Sequence, residues 1–266
     1  MNYGLIGEKL GHSFSREIHE KLGRYPYELR EIRKGELDAF MTARDFAGIN
    51  VTIPYKTDVI PYLDELSDLA REVGAVNTIV NRNGRLSGDN TDVWGLISLV
   101  RRMRPDLVGL TVLILGTGGT SRAALAAAKF LGAKKAVRVS RTGKDGAVTY
   151  EEAYRDYADA EFLINTTPVG MFPHAGSSPV DLSRFPRLLG VVDAIYNPLN
   201  TRLLLDAKKL GVPAENGLYM LVAQAMKSAE LFTDSPIDPS VTFESCSRIP
   251  ANIIRANAKP IDVAMA

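Results

Sequence analysis

Cysteine is almost missing from this chain. Among 266 residues only Cys246 is present, so no intramolecular disulfide can form, and the three histidines offer no CxxC or HExxH spacing for zinc. Both absences favour a reducing compartment and argue against a bound metal. Long runs of like charge are missing too. Lys and Arg total 32 against 31 acidic residues, and the densest basic cluster is the short "RRMR" at Arg101–Arg104, which is too small for a nucleic-acid track. No apolar run reaches the length of a membrane span, and "MNYGLIG" opens as a strand, without the charged region and apolar core of a signal peptide. A cytoplasmic protein is expected, with small-molecule partners and neither nucleic acid nor membrane.

What is present is an alternation of strands and helices in an ordinary composition, 45% hydrophobic and 24% charged, with chain enough for two domains. Strands are predicted at Tyr3–Gly7, Tyr27–Ile32 and Gly48–Ile53, the last ended by Pro54, and helices at Ser15–Leu22, Glu36–Ala43 and Tyr62–Val73. "VNTIVNRNGRLSG" reads as a hairpin turning at Asn83-Gly84. A helix over Val93–Met103 leads to "TVLILG", a wholly apolar strand of the kind that lies buried on both faces of a parallel sheet. "KAVRVSR", "EFLIN" and "GVVDAIY" follow as strands, "YEEAYRDYA" and Arg202–Leu210 as helices, and Gly217–Phe232 as a last long helix. Such alternation implies mainly parallel sheets with helical cover, hence an α/β fold.

The segment "TVLILGTGGTSRAA" has the strand, glycine turn and helix of a dinucleotide site, with Gly116 and Gly118 at the first two fingerprint positions and Ser121 at the third. No Gly-Lys-Ser or Gly-Lys-Thr closes the run, which disfavours an NTPase loop. At the end of the next strand "VRVSRTGK" offers Ser140, Arg141, Thr142 and Lys144 where an acid would favour NAD. Hydroxyls and positive charge there suit the 2′-phosphate of NADP.

Four segments in the first half carry polar groups beside predicted strands: "GHSFS", "NVTIPYK", "GAVNT" and "GDNTD". Each has a plain structural reading. Ser13 or Ser15 can cap a helix, Lys56 can be a surface lysine, Asn77 a turn amide, and Asp92 the cap of the following helix. Asp92 can also be one half of a proton-transfer pair.

Taken in order, "GHSFSREIH", "GINVTIPYK", "GAVNT", "GDNTDVWG", "GTGGTSRA", "NTTPVGM", "VVDAIYNPLNTRLL" and "NGLYMLVAQA" strongly resemble shikimate dehydrogenase, over nearly the whole chain. The resemblance implies two domains, an α/β substrate domain over 1–92 and 219–266 and a Rossmann-type doubly wound parallel sheet over 93–218. It also implies NADP-dependent interconversion of 3-dehydroshikimate and shikimate. Lys56 would be the acid/base, either transferring the proton or stabilising developing charge, with Asp92 beside it. Ser13 and Ser15 would bind the substrate carboxylate, Thr52 would add a hydroxyl, Asn77 and Asp92 would hold the ring hydroxyls, and Gln224 would reach the same pocket. Gly116, Gly118, Gly119, Thr120 and Ser121 would meet the pyrophosphate, and Ser140, Arg141 and Thr142 the 2′-phosphate. Thr166, Pro168, Val169 and Met171 would run beside the cofactor, with Tyr196 and Gly217 near substrate and nicotinamide. No metal is implied, and the oligomeric state stays open between monomer and homodimer.

Two departures stand out. Arg16 replaces the proline that the family commonly places after its second serine, and Ser140 and Asp145 replace an asparagine and a basic residue. Two neighbouring readings are weaker. A quinate/shikimate dehydrogenase accepting NAD would favour an acid in place of Ser140, and a ligand-sensing relative without turnover would have lost Lys56 or Asp92.

Overall fold

In the computed structural model the described residues are 1–11, 13–23, 25–238, 241 and 244–248. His12, within the "GHSFS" segment, and the expected domain limit at 266 lie outside them. The chain forms two compact units, one of Met1–Trp94 with the segment from Val222, the other built on Gly95–Leu221.

The first unit begins with β1 (Tyr3–Gly7), α1 (Ser15–Gly23), β2 (Glu28–Glu31), α2 (Leu37–Ala43) and β3 (Gly48–Val51). Next come β4 (Glu65–Leu66), α3 (Asp68–Val73), β5 (Thr78–Arg82), β6 (Arg85–Asp89) and the start of α4 (Thr91–Arg101). Its six strands run in the order β2-β1-β3-β5-β6-β4. β1 pairs in parallel with β2 and β3, whereas β5 is antiparallel to both β3 and β6, so the sheet is mixed. The hairpin forms at Asn83 and Gly84, whose φ of 54° and 85° are the positive pair that a two-residue turn matched to strand twist demands. The core gathers Ile6, Met41, Ile49, Tyr55, Ile79 and Leu86, all at most 1% exposed.

The continuous helix predicted over Tyr62–Val73 does not form. Residues Ile60–Tyr62 make one 3-10 turn, and Glu65–Leu66 pair with Ser87–Gly88 as an edge strand. The backbone N–H of Leu86 donates to Asp64 Oδ2 at 2.7 Å while that of Asp64 donates to the Leu86 carbonyl at 2.9 Å. Strand pairing thus satisfies groups a helix would have turned inward. Helix starts afresh at Ser67, whose hydroxyl accepts from the Ala70 N–H at 3.1 Å, and ends at Gly74 in the left-handed region.

The second unit holds β7 (Thr111–Leu115), α5 (Gly119–Phe130), β8 (Lys135–Val139), α6 (Tyr150–Asp156) and β9 (Phe162–Asn165). It continues with β10 (Gly190–Asp193), α7 (Arg202–Lys209) and β11 (Ala214–Glu215). The division between the units falls within α4 and within α8 (Leu218–Thr233). All five strands are parallel, in the order β11-β10-β9-β7-β8. The chain starts inside the sheet at β7, adds β8 as the edge strand on one side, then crosses to build β9, β10 and β11 on the other. This is a doubly wound sheet, and its direction of growth reverses between β7 and β9, where such sheets bind ligands beyond the strand ends. Val112 to Leu115 are buried on both faces of β7, which explains the unbroken apolar run. Burial of each such side chain contributes roughly 1.5–3 kcal/mol.

Candidate functional site

In the first unit the strand ends carry the chemistry. Beyond β3 the chain turns sharply through residues 52–59, and Lys56 is held there from both sides. Tyr55 buries its ring completely and donates its hydroxyl to the Ile32 carbonyl at 2.6 Å, and the Val76 N–H donates to the Lys56 carbonyl at 2.7 Å. With its backbone so pinned, Lys56 directs its side chain to Asp92, placing Nζ 2.5 Å from Oδ2.

Asp92 is the second residue of α4, not a cap ahead of it, and only 8% exposed. A carboxylate in the first turn faces the positive end of the helix dipole. Its other oxygen, Oδ1, accepts from Asn77 Nδ2 at 2.9 Å. Asn77 sits just ahead of β5, with its own N–H donating to the Asp89 carbonyl at 3.1 Å. A lysine, a carboxylate and an amide therefore converge from three segments far apart in sequence. The ion pair is charge-assisted and mostly buried, and it keeps a small exposed face through which a hydroxyl could be reached.

The other residues expected to contact substrate are placed as follows. Ser13 and Ser15 form a pair at the start of α1, with the Ser13 hydroxyl donating to Ser15 Oγ at 3.1 Å and accepting from the Ser15 N–H at 3.2 Å. Arg16 does not extend from this pair. Its Nε donates to the Tyr27 carbonyl at 3.0 Å, which ties α1 to the chain entering β2. Thr52 anchors the turn that carries Lys56, giving its N–H to the Ile6 carbonyl at 2.9 Å. Gln224 lies half-buried on α8.

In the second unit the glycine turn follows β7. Gly116 has φ +109°, and a Cβ on it would stand 2.8 Å from Thr166 Oγ1, so only glycine lets the chains leaving β7 and β9 come this close. Gly118 caps α5 with no side-chain partner, and a Cβ on Gly118 or Gly119 would point into open space. An uncapped start to a 12-residue helix, bare of side chains, fits a pyrophosphate. Ser121 is fully buried and donates its hydroxyl to the Gly118 carbonyl at 2.9 Å, as close helix–strand packing at the third fingerprint position requires. Thr120 is half-buried in the same first turn.

Past β8, Ser140 Oγ accepts from the Gly143 N–H at 3.1 Å and closes a turn that leaves Arg141 and Thr142 exposed. Arg138 donates to the backbone carbonyl of Asp145, a contact that fastens the turn without using the Asp145 carboxylate. Arg141 and Thr142 can therefore meet an added phosphate. Thr166 donates its hydroxyl to the Leu115 carbonyl at 2.5 Å, which ties the chain leaving β9 to the end of β7. The Asn-Thr turn is made by the Thr167 N–H donating to Asn165 Oδ1 at 3.0 Å, and Pro168, Val169 and Met171 follow it on the surface. Tyr196 is half-buried, and burial raises its hydroxyl above the usual range. Gly217 packs so tightly that a Cβ would stand 2.1 Å from the Ala194 carbonyl.

Sequence reasoning passed over two buried polar clusters. In the second unit Asp193 accepts from Asn165 Nδ2 (2.9 Å), the Ile195 N–H (3.0 Å) and the Thr201 hydroxyl (2.6 Å). Burial outweighs these three donors and pushes its carboxyl up to about 6. In the first unit Asn50, Thr78, Thr91 and Ser228 lie behind Asn77, each at most 6% exposed. A lone amide inside the apolar strand "GINV" and a serine within the apolar stretch of α8 were the available signals. Among the described residues no group of His, Cys, Asp and Glu could hold a metal, and no helix is long and apolar enough to cross a membrane.

Comparison with known proteins adds the last observations. The family model for the shikimate dehydrogenase substrate binding domain matches residues 5–79. The protein named shikimate dehydrogenase (NADP(+)) from Clostridium perfringens (strain SM101 / Type A) is 37% identical over 259 residues, covering 90% of this chain and 94% of its own. A chorismate mutase/shikimate 5-dehydrogenase fusion protein from Clostridium acetobutylicum matches in structure with a TM-score of 0.87 at 37% identity, over 95% of this chain and 98% of that one. Shikimate 5-dehydrogenase from Thermus thermophilus, solved in complex with NADP(H) and shikimate, matches with a TM-score of 0.83 at 30% identity, over 94% of this chain and 99% of that one.

Proposed function

The chain belongs to the shikimate dehydrogenase family, and from that membership we propose that it catalyses the reversible NADP-dependent reduction of 3-dehydroshikimate to shikimate. The observation that carries the reading to particular residues is the Lys56–Asp92 pair, 2.5 Å apart, with the Asn77 amide on the second carboxylate oxygen.

NADPH, when bound, supplies the hydride. What the chain itself must do is manage a proton and hold a ring. In the reduction, Lys56 stands at the carbonyl oxygen as proton donor, and in the reverse direction its Nζ receives the proton from the hydroxyl. Asp92 keeps the ammonium in place and, with Asn77, orients the ring hydroxyls. Ser13 and Ser15, two hydroxyls about one hydrogen bond apart, bind the carboxylate. Gln224 adds a side chain from α8.

The cofactor half rests on chemistry in the second unit. The open glycine turn at the start of α5 takes the pyrophosphate, and the exposed Arg141 and Thr142 take the 2′-phosphate. No carboxylate stands where the ribose hydroxyls of NAD would be read, since Ser140 holds that position. A cytoplasmic site of action with small molecules as the only partners, and a monomer or homodimer as the working form, go with this reading. Its support is the near-balanced charge and the lone Cys246.

Initial rates on shikimate and on quinate, each with NADP and with NAD, test the proposal. Shikimate with NADP is expected to give the highest kcat/KM of the four. A preference for quinate, or for NAD, would contradict it.

A further inference from the structure

Behind Asn77 the first unit encloses a set of polar side chains that touch no reacting group. Tyr27 donates its hydroxyl to Asn50 Oδ1 at 2.7 Å. Asn50 Nδ2 faces three acceptors, the Asn77 carbonyl at 3.1 Å, Thr78 Oγ1 at 3.0 Å and Ser228 Oγ at 2.9 Å. The hydroxyls of Thr78, Thr91 and Ser228 close a triangle with sides of 3.2, 2.9 and 3.0 Å, and all three residues are fully buried. Two corners of the triangle also meet Asn77. Its Oδ1 lies 3.0 Å from Thr78 Oγ1 and 3.2 Å from Thr91 Oγ1, and accepts from the Thr91 backbone N–H at 2.7 Å.

Donor and acceptor chemistry gives this web a direction. A backbone carbonyl only accepts, so the end of Asn50 that touches the Asn77 carbonyl must be its NH2. A backbone N–H only donates, so the end of Asn77 that touches Thr91 N must be its oxygen, and the NH2 of Asn77 is left for Asp92. Ser228 donates to the Gln224 carbonyl one helical turn earlier, at 3.0 Å, so its oxygen is left to accept from Asn50 Nδ2 at 2.9 Å and from the Thr91 hydroxyl at 3.0 Å. With the single Thr91 hydroxyl proton drawn to Ser228 in this way, the Thr78 hydroxyl proton is left to point at Asn77 Oδ1, beside the Thr91 backbone N–H.

We propose that Asn50 and Ser228 are positioning residues: they set the direction of the hydroxyl triangle that locks the Asn77 amide, and through it they hold the Asp92 carboxylate against Lys56. α8, which returns to this unit after the second unit is complete, thereby supplies a support for the proton-handling pair besides Gln224. The proposal rests on the reading that Lys56 and Asp92 carry the chemistry.

Two measurements test it. In a double-mutant cycle on kcat with shikimate and NADP both saturating, Ser228→Ala is expected to cost about fivefold in the wild-type background, the rate equivalent of one neutral hydrogen bond. In an Asn77→Ala background, where no amide remains to be held, it should cost less than about 1.5-fold. Equal losses in the two backgrounds, or no loss in the first, would overturn the proposal. If Ser228→Ala does not fold, Tyr27→Phe, which removes the donor at the far end of the web, replaces it in the same cycle with the same expectation. Independently of turnover, solvent exchange of the Asn77 side-chain amide protons, followed by NMR, should quicken at least tenfold in the variant, and unchanged exchange would overturn the proposal. Should the wild type fail to oxidise shikimate, the functional reading falls, and amide exchange still decides whether Ser228 holds Asn77.

Discussion

Replacing Asp92 by asparagine is the most informative single perturbation, because the surroundings of the introduced amide are already fixed. Asn77 must present its NH2 to residue 92, since its oxygen is held by the Thr91 N–H at 2.7 Å and by the Thr78 hydroxyl at 3.0 Å. On the other side stands Lys56 Nζ, which in its ammonium form, the proton donor of the reduction, also only donates. An asparagine at this position has one oxygen and one NH2, so one of the two contacts becomes donor against donor, whichever way it turns. The structure favours sacrificing the lysine contact, because the Asn77 amide is buried and locked whereas the Lys56 side chain keeps 20% of its surface exposed. The change thus removes a charge-assisted hydrogen bond to an ion pair, a contact that contributes about 1.5–3 kcal/mol. Partial exposure of the lysine places the stability loss toward the lower end of that range. If the same contact is needed in the transition state, kcat/KM should fall roughly 10- to 150-fold. Steady-state kinetics and urea denaturation of Asp92→Asn measure both quantities. A variant within about threefold of wild type in kcat/KM would refute the reasoning, because it would mean that Lys56 works without its carboxylate.

Three further outcomes follow from the same geometry. Ser13→Ala combined with Ser15→Ala should weaken shikimate binding while leaving NADP affinity nearly unchanged, as ligand titrations would record. Arg141→Ala should lower kcat/KM for NADP selectively, by about tenfold or less because the guanidinium is exposed, and an unchanged NADP-to-NAD ratio would place the preference elsewhere. His19 is fully buried, stacked on Tyr27 with ring centroids 4.2 Å apart, and burial lowers it from 6.5 to about 3. Below its ordinary value the unfolded chain therefore binds a proton that the folded chain refuses, so stability falls as pH drops from that value toward the lowered one. Near pH 5 the loss is about 2 kcal/mol, and the difference in denaturation free energy between neutral and acid pH should shrink by that amount in His19→Phe.

Much of the fold could be read from local pattern. The apolar run of β7, the Asn83-Gly84 turn and the Ser15 helix start are each dictated by neighbours in sequence, and each forms where expected. The helix expected over Tyr62–Val73 failed because pairing of Glu65–Leu66 with Ser87–Gly88 is non-local and leaves no period in the sequence. Site geometry divides in the same way. Lys56, Asn77 and Asp92 lie in short polar segments beside strand ends and could be singled out, whereas Ser228 is joined to Asn50 across 178 positions and shows nothing in its own segment beyond one hydroxyl in an apolar helix. Nothing in the segment around Arg16 names its partner, and only the position of the Tyr27 carbonyl decides where its guanidinium goes. Thr166 could be singled out by its segment, whereas the partner of its hydroxyl, the Leu115 carbonyl, is set by the adjacency of β7 and β9.

The central claim is that Lys56 handles the proton that accompanies hydride transfer. Single-turnover oxidation of shikimate, with the substrate and NADP both bound at saturation in wild type and in Lys56→Ala, tests it without interference from product release. The expected result is a rate lower by roughly 10²–10⁴-fold, with the shikimate dissociation constant changed far less. A hydride-transfer rate within about tenfold of wild type would contradict the claim, because a lost general acid or base costs more than that.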